Sequence, residues 1–380
     1  MTNKRSLLLA ADTFHPKVDG TLKFMGEFIK RSQNTFNISL LIPRLDNSSK
    51  MESAAYLETS KRISLSGYPL MKLTWKNLKL IKEKVKKADI IFVQGPALIS
   101  YLSIYYGHKF KKTTIFYTHT IAWELLEKFV PLLFNKLLNK IVKLLSVLSY
   151  NRCNLILVPY PGLESYLKQA GVKTSIKVAR LGVDINTFTP TADKNQYKTK
   201  FGISPDKKVI GYVGRISKEK NTLVLLEAFK QLEPPGRYHL LMVGDGPKDQ
   251  AEKFSLLKNC TITGFKPDVN DYLKAMDLFV MPSLTETTSL ATLEAMATGI
   301  PVIVSKVGYI KDYVKKDYNG QFFPKSSPKL LASKISKLLA DQELQEKLGR
   351  NARKTVIYSF SWDRSINRIK RLILSLPEQK

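Results

Sequence analysis

Val209-Ile-Gly-Tyr-Val-Gly-Arg-Ile-Ser-Lys-Glu-Lys-Asn221 decides how the rest of the sequence is read. An apolar strand runs into a glycine turn and a basic loop, and the spacing of apolar residues over 222–231 is that of a helix. Gly214 lets the backbone come close to a ligand, while Arg215 and Lys220 can both reach a diphosphate from one loop. The spacing is not GxGxxG, which disfavours a dinucleotide oxidoreductase. A solvated turn on a basic protein would carry the same residues, so the weight falls on what surrounds it.

The unit recurs on both sides. Apolar runs rich in β-branched residues predict strands at 6–11, 38–42, 90–94, 113–117 and 155–159, then at 209–213, 239–243, 261–263, 278–281 and 302–305. Helical spacing falls between them at 22–32, 75–87 and 125–149, then at 222–231, 269–275, 290–298 and 328–339. Strands alternating with helices mean parallel sheets with helical crossovers. The expected class is α/β: two Rossmann-like, doubly wound domains facing across a cleft, residues 1–185 and 186–361. The linker lies within 182–190, and a last helix at about 362–380 packs back on the first domain. At 380 residues the chain can bury two cores.

The sharpest motif is Glu286-Thr-Thr-Ser-Leu-Ala-Thr-Leu-Glu294, placed where a strand turns into a helix. Ser289 is an N-cap residue type, which would point the N–H groups of Leu290 and Ala291 at an anion favoured by the helix dipole. Eight helical residues rise about 12 Å, beyond the roughly 5 to 9.5 Å between paired glycosidase carboxylates. The two glutamates must therefore do different jobs. Taken alone, such a pair is ordinary surface charge. Three further segments sit at predicted strand ends, the ligand edge of such sheets: Asp12-Thr-Phe-His-Pro-Lys-Val-Asp-Gly20, His119 in Tyr117-Thr-His-Thr120, and Val243-Gly-Asp-Gly-Pro247. Phe265, after the strand at 261–263, joins the donor-site candidates. Each could equally be a plain βα loop or a structural residue.

In this order the segments resemble the retaining GT-B glycosyltransferases of family 4, which include mannosyl-, glucosyl- and sulfoquinovosyl-transferases. The likeness runs over nearly the whole chain. It is sharpest at the glutamate motif, at 211–220, at Arg180-Leu-Gly-Val-Asp184 with Phe188 and Pro190, and at 12–20. It implies transfer of a hexose from a UDP- or GDP-linked nucleotide sugar, with no cofactor and no metal. Arg215 and Lys220 would hold the diphosphate beside Gly214, and Glu294 the ribose. Glu286 would contact the donor sugar, with Ser289, Leu290 and Ala291 at its helix. Gly20 would lie beside the diphosphate or acceptor, and His119 near the anomeric carbon. Fixed cations and a helix N-terminus stabilise the charge that builds on the leaving diphosphate, so no protein nucleophile is required. The chain departs from the family pattern twice. Thr288-Ser289 replaces a common Phe-Gly, and Asp19-Gly20 replaces paired glycines or Asn-Gly, so donor identity does not carry over.

Charge points to an anionic partner: 61 Lys and Arg against 32 Asp and Glu give +29, of which +17 falls in residues 1–185. Residues 71–87 hold seven lysines and one glutamate among apolar residues, and Leu125 to Ser149 carries Lys136, Lys140 and Lys143 at helical spacing. These read either as core helices with solvated lysine faces or as amphipathic helices on an anionic membrane surface. The second reading gives a peripheral enzyme on the inner face of the cell membrane, with a lipid or lipid-linked glycan acceptor. Its alternatives are a soluble sugar or polysaccharide acceptor, or a sugar-nucleotide epimerase on the same fold. No RNA- or DNA-binding module is recognisable, so nucleic acid is not an expected partner. Cys153 and Cys260 stand far apart without CxxC or histidine neighbours and read as small hydrophobes in a reducing compartment. The apolar run at 7–11 is too short for a signal segment, which gives a cytoplasmic expectation.

Overall fold

The computed structural model describes residues 4–13, 20–44, 51–65, 68–118, 121–127 and 132–377. It divides into two compact units, one running to Arg180 and resuming at Ser365, the other from Leu181 to Arg364.

In the first unit the elements are β1 (Ser6–Ala11), α1 (Gly20–Ser32), β2 (Asn37–Pro43), β3 (Ala54–Leu57), β4 (Thr59–Leu65), β5 (Tyr68–Met71), α2 (Trp75–Lys87), β6 (Ile90–Gln94), α3 (Leu98–Lys109), β7 (Thr113–Tyr117), α4 (Ala122–Glu127), α5 (Leu132–Tyr150), β8 (Leu155–Val158), α6 (Pro161–Gln169) and β9 (Ile176–Val178). Seven strands form one parallel sheet in the order β3-β2-β1-β6-β7-β8-β9, and β4 pairs antiparallel with β5. The central strands are buried from end to end, which is why they read as unbroken apolar runs rather than as alternation. Helix α2 starts where Thr74 accepts the Asn77 N–H at 3.2 Å, and the buried Asn77 amide holds the Glu58 and Lys72 carbonyls. On α1, Phe24 packs edge-on against Tyr117 with centroids 4.6 Å apart, and Phe28 stacks on Phe92 at 4.8 Å. Over 125–149, where a single helix is expected, the described elements are the end of α4 and α5 to Tyr150, and residues 128–131 lie outside the described residues.

In the second unit the elements are α7 (Lys194–Lys200), β10 (Lys208–Val213), α8 (Thr222–Lys230), β11 (Tyr238–Val243), α9 (Lys248–Ser255), β12 (Cys260–Ile262), α10 (Asn270–Lys274), β13 (Leu278–Met281), α11 (Leu290–Ala297), β14 (Val302–Ser305), α12 (Ile310–Tyr313), β15 (Gln321–Phe323), α13 (Pro328–Ala340), α14 (Gln342–Ser359) and the start of α15 (Trp362–Leu374). Its six strands are all parallel, in the order β12-β11-β10-β13-β14-β15. Buried Asp277 anchors the strands' first ends: it accepts the Val209 N–H at 2.8 Å and pairs with Lys198 at 2.9 Å. Burial alone would raise its carboxyl, but Lys194 and Lys198 hold it below the ordinary value. The later part of α15 belongs to the first unit, where Lys370 donates to the Arg31 carbonyl at 3.1 Å.

Both sheets have a switch point, the place where chain order reverses: between β1 and β6 in the first, and between β10 and β13 in the second. Ligands of such sheets bind outside the carboxyl ends of the strands at these places.

Candidate functional site

The switch point of the second unit brings together two segments that lie far apart in sequence. From β10 comes the loop 214–221, and from β13 the loop 282–289. Backbone and side chain tie them to each other: the Leu284 N–H donates to the Glu219 carbonyl at 3.0 Å, and the Asn221 amide donates to the Pro282 and Lys325 carbonyls. Gly214 lies at φ +146°, its N–H bonded to the Val243 carbonyl, and a side chain at Gly244 would strike the Gly214 carbonyl. The two glycine turns read from the sequence therefore pack directly on each other.

Lys220 and Glu286 meet here. The ammonium donates to Glu286 Oε1 at 2.6 Å, with the two side chains 19% and 8% exposed, and the Ser283 hydroxyl donates to the same oxygen at 2.7 Å. A charged pair this enclosed is a strong hydrogen bond in a poorly solvated place. Arg215 is different: its side chain is 73% exposed, at 3.8 Å from Glu219, so it is a solvated cation at the edge of the loop. Ser283 has no sequence signal beyond preceding Glu286 by three.

Glu286 is not on the helix with Glu294. The helix α11 begins at Leu290, so the rise calculated for eight helical residues does not apply, although the two glutamates still differ in setting. Glu294 is buried within α11, and Glu286 belongs to the loop before it. Ser289 stands at the N-cap position but does not cap. It has left-handed backbone, φ +57° and ψ +80°, and its hydroxyl pairs with Thr292 Oγ1 at 2.8 Å instead of with the helix N–H groups. Extended backbone is what lets a serine cap a helix, and this serine lacks it. The N–H groups of Leu290 and Ala291 have no intrahelical acceptor by their position, no acidic residue lies in the first turn, and no acceptor for them is found among the described residues.

A second layer holds this loop. Gly308, at φ +50°, lies so close to Glu286 that a Cβ would fall 1.5 Å from its carbonyl oxygen. The Tyr309 N–H donates to the Thr287 carbonyl at 3.1 Å and the buried Tyr313 hydroxyl to the Thr288 carbonyl at 2.7 Å. Burial first, and then the Glu286 charge, push the Tyr313 phenol well up, so it remains a donor. The Thr288 hydroxyl is buried with no partner among the described residues. Phe265 is half exposed and follows Gly264, which bridges to Gly244, placing it at the edge of the same loop cluster.

In the first unit Gly20 opens α1, half-buried, and Gln94 donates to the neighbouring Thr21 carbonyl at 3.0 Å. Asp12 turns inward: its carboxylate accepts from the Ala97 N–H at 3.0 Å, the Ile99 N–H at 2.9 Å and the Ser100 hydroxyl. Burial raises this carboxyl above its ordinary value while those donors pull it back. His119 and residues 14–19, Asp19 included, lie outside the described residues. Among the described residues no group of three His, Cys, Asp or Glu side chains could hold a metal ion. Cys153 is buried, whereas Cys260 is only half-buried, and burial pushes its thiol up to about 12.

With this geometry in view, residues 193–355 match the family described as Glycosyl transferases group 1, and residues 31–187 match Glycosyltransferase Family 4. The chain carries the two domains of a family 4, group 1 glycosyltransferase. The group 1 domain holds the whole Lys220–Glu286 site, and the family 4 domain follows the Asp12 turn. The chain is 26% identical over 293 residues to a sulfoquinovosyl transferase of Arabidopsis thaliana, covering 75% of this chain and 56% of that protein. It is 30% identical over 217 residues to the UDP-Gal:alpha-D-GlcNAc-diphosphoundecaprenol alpha-1,3-galactosyltransferase of Escherichia coli, covering 54% and 55%. The matched stretches thus span about half the length of these curated relatives. Anabaena HepE in complex with UDP superposes with a TM-score of 0.80 at 17% identity, over 98% of this chain and all of the other. That likeness is one of fold, and the two Rossmann-like units are those of the GT-B class.

Proposed function

We propose that the protein transfers a hexose from a nucleoside-diphosphate sugar, with retention at the anomeric carbon, to a lipid or lipid-linked acceptor. The carrying observation is the second unit's switch point, where the loop with Lys220 follows β10 and the loop that leads to the open N–H groups of Leu290 and Ala291 follows the neighbouring β13. An anion with two or three phosphoryl oxygens to place suits these donors. As the bond to the sugar breaks, charge grows on the departing diphosphate, and donors fixed beforehand stabilise that state more than the ground state. Lys220, with Arg215 at the rim, supplies the positive charge in place of a metal ion. The Glu286 oxygen nearest Lys220 already accepts two hydrogen bonds, which suits it to hold sugar hydroxyls rather than to attack. Glu294 takes the ribose, and Phe265 lines the rim.

The acceptor reading rests on α5. Of the two lysine-rich helices, α2 turns Ile81 and Val85 into the core, but α5 exposes Leu137, Leu138, Ile141, Leu144, Leu145 and Leu148 by 36% to 70%. Four of these, 137, 141, 144 and 148, repeat at spacings of four and three, so they share one face, and the only charges in the helix are lysines. Such a face suits an anionic lipid surface. No described helix is long and apolar enough to cross a membrane.

The test is a panel of UDP-, GDP- and ADP-sugars with anionic lipid vesicles, with and without chelator, scored for nucleoside diphosphate released and glycolipid formed. One donor should yield glycolipid that is lost in Glu294→Ala and unaffected by chelation. Turnover without glycolipid would move the acceptor to a soluble sugar, and free sugar-nucleotide interconversion would make the protein an epimerase.

A further inference from the structure

The Ser289–Thr292 pair has a peculiarity that the donor site alone does not require. Serine is among the best N-cap residues, because its hydroxyl in extended backbone satisfies the helix's own first N–H groups. A serine before α11 therefore competes with any anion brought to Leu290 and Ala291. In this structure it does not compete: its backbone is held left-handed, a conformation that L-residues with a Cβ avoid, and its hydroxyl is turned to Thr292 Oγ1 at 2.8 Å. Thr292 is fully buried one turn along the same helix, and Ser289 is itself buried. The carbonyl before Ser289 is fixed from behind by Tyr313.

Resting on the donor reading above, we propose that Thr292 is a positioning residue that keeps the N-terminus of α11 open for the donor diphosphate, by holding the Ser289 hydroxyl away from the Leu290 and Ala291 N–H groups. Thr292 does not touch the donor. It removes an internal rival for the donor's place. Without its hydroxyl, Ser289 loses its partner and can relax to extended backbone, where it caps the helix. The open form then becomes a fraction of the population, and apparent affinity falls by that fraction.

The experiment measures binding of UDP, GDP and ADP by calorimetry to the full chain, with thermal melts to confirm folding. For whichever nucleotide the unaltered protein binds, Thr292→Val should bind about 10-fold more weakly, and Thr292→Ser should bind as the unaltered protein. The decisive variant is Thr292→Val with Ser289→Gly: with no hydroxyl left to cap, binding should return to within about twofold. A double variant as weak as Thr292→Val alone would mean that Thr292 acts through packing, and the proposal would be overturned, as it would by undiminished binding in Thr292→Val. If the unaltered protein binds none of the three nucleotides, the donor reading itself fails. If it binds one and Lys220→Ala does not, that reading stands whatever Thr292 does.

Discussion

The two units each carry a parallel sheet with a switch point, and each brings a helix N-terminus to it, but they use that end in opposite ways. At the first, α3 is filled from within: Asp12 gives its carboxylate to the Ala97 and Ile99 N–H groups and to the Ser100 hydroxyl. At the second, α11 has no acidic first turn and no capping hydroxyl, and Lys220 waits beside Glu286. The free N–H groups of a helix attract negative charge in either case. An internal carboxyl answers that attraction within the fold; its omission leaves the end of α11 open for the anion proposed above.

The largest expected effect tests the open end. Lys220→Ala should lower turnover of the donor by about 10²–10³-fold, the range seen when one fixed donor to developing charge is removed. Steady-state kinetics with the donor found in the panel reads this directly. Glu286 would lose its only described cationic partner and be left in an enclosed place, so some loss of stability should accompany the loss of rate. A Lys220→Ala enzyme with unchanged turnover would break the contrast between the two ends.

The next effect tests the filled end. Asp12→Ala should destabilise the protein by about 2 kcal/mol, since it orphans buried N–H groups at the start of α3. Asp12→Asn, which keeps an acceptor, should cost about half as much, and both are read by denaturant unfolding. Because burial lifts the Asp12 carboxyl in the folded state above its unfolded value of 3.8, the folded protein binds this proton more tightly. The unaltered protein should therefore gain on Asp12→Asn as the pH is lowered from 7 toward 3.8. The opposite trend would show that the hydrogen bonds from α3 outweigh the burial of the carboxylate.

The frame that carries both ends was legible in the sequence. Strands β6 and β7 and helix α2 coincide with their predicted limits, because full burial writes them as unbroken β-branched runs and because Thr74 marks the start of α2. Helix α3 was not legible: its Leu, Tyr and Ile residues fall on all sides, and Asp12, which starts it, lies 85 residues from Ala97. Strands β3, β9 and β15 show neither a period nor a strong apolar run: they are short, and Ala54 and Ala55, Lys177 and Gln321 weaken what runs they have. Within the site, residue types and their positions after strand ends were readable for Gly214, Lys220 and Glu286. The Lys220–Glu286 bond was not, since a long-range pair leaves no local pattern, nor was the support from Gly308 and Tyr313. Ser289 misleads for a physical reason: residue type suggests a cap, but the backbone angle decides whether it acts as one.

The smallest effect isolates that angle. Ser289→Gly relieves a left-handed conformation that costs a residue with a Cβ about 1–2 kcal/mol, against an unfolded-state penalty for glycine of about 0.5–1 kcal/mol. The Thr292 hydroxyl loses Ser289 and keeps its contact with Tyr313, which takes back part of the gain. The net should be a gain of about 0.5 kcal/mol, or roughly 1–2 °C in the melting of a unit this size. Donor binding should be kept, because glycine holds the same backbone and brings no rival hydroxyl. Most substitutions at a site residue lower both stability and binding; here calorimetry and melting should move apart. A variant that melts lower would mean that the left-handed serine is not strained, and the open end of α11 would then need no restraint to stay open.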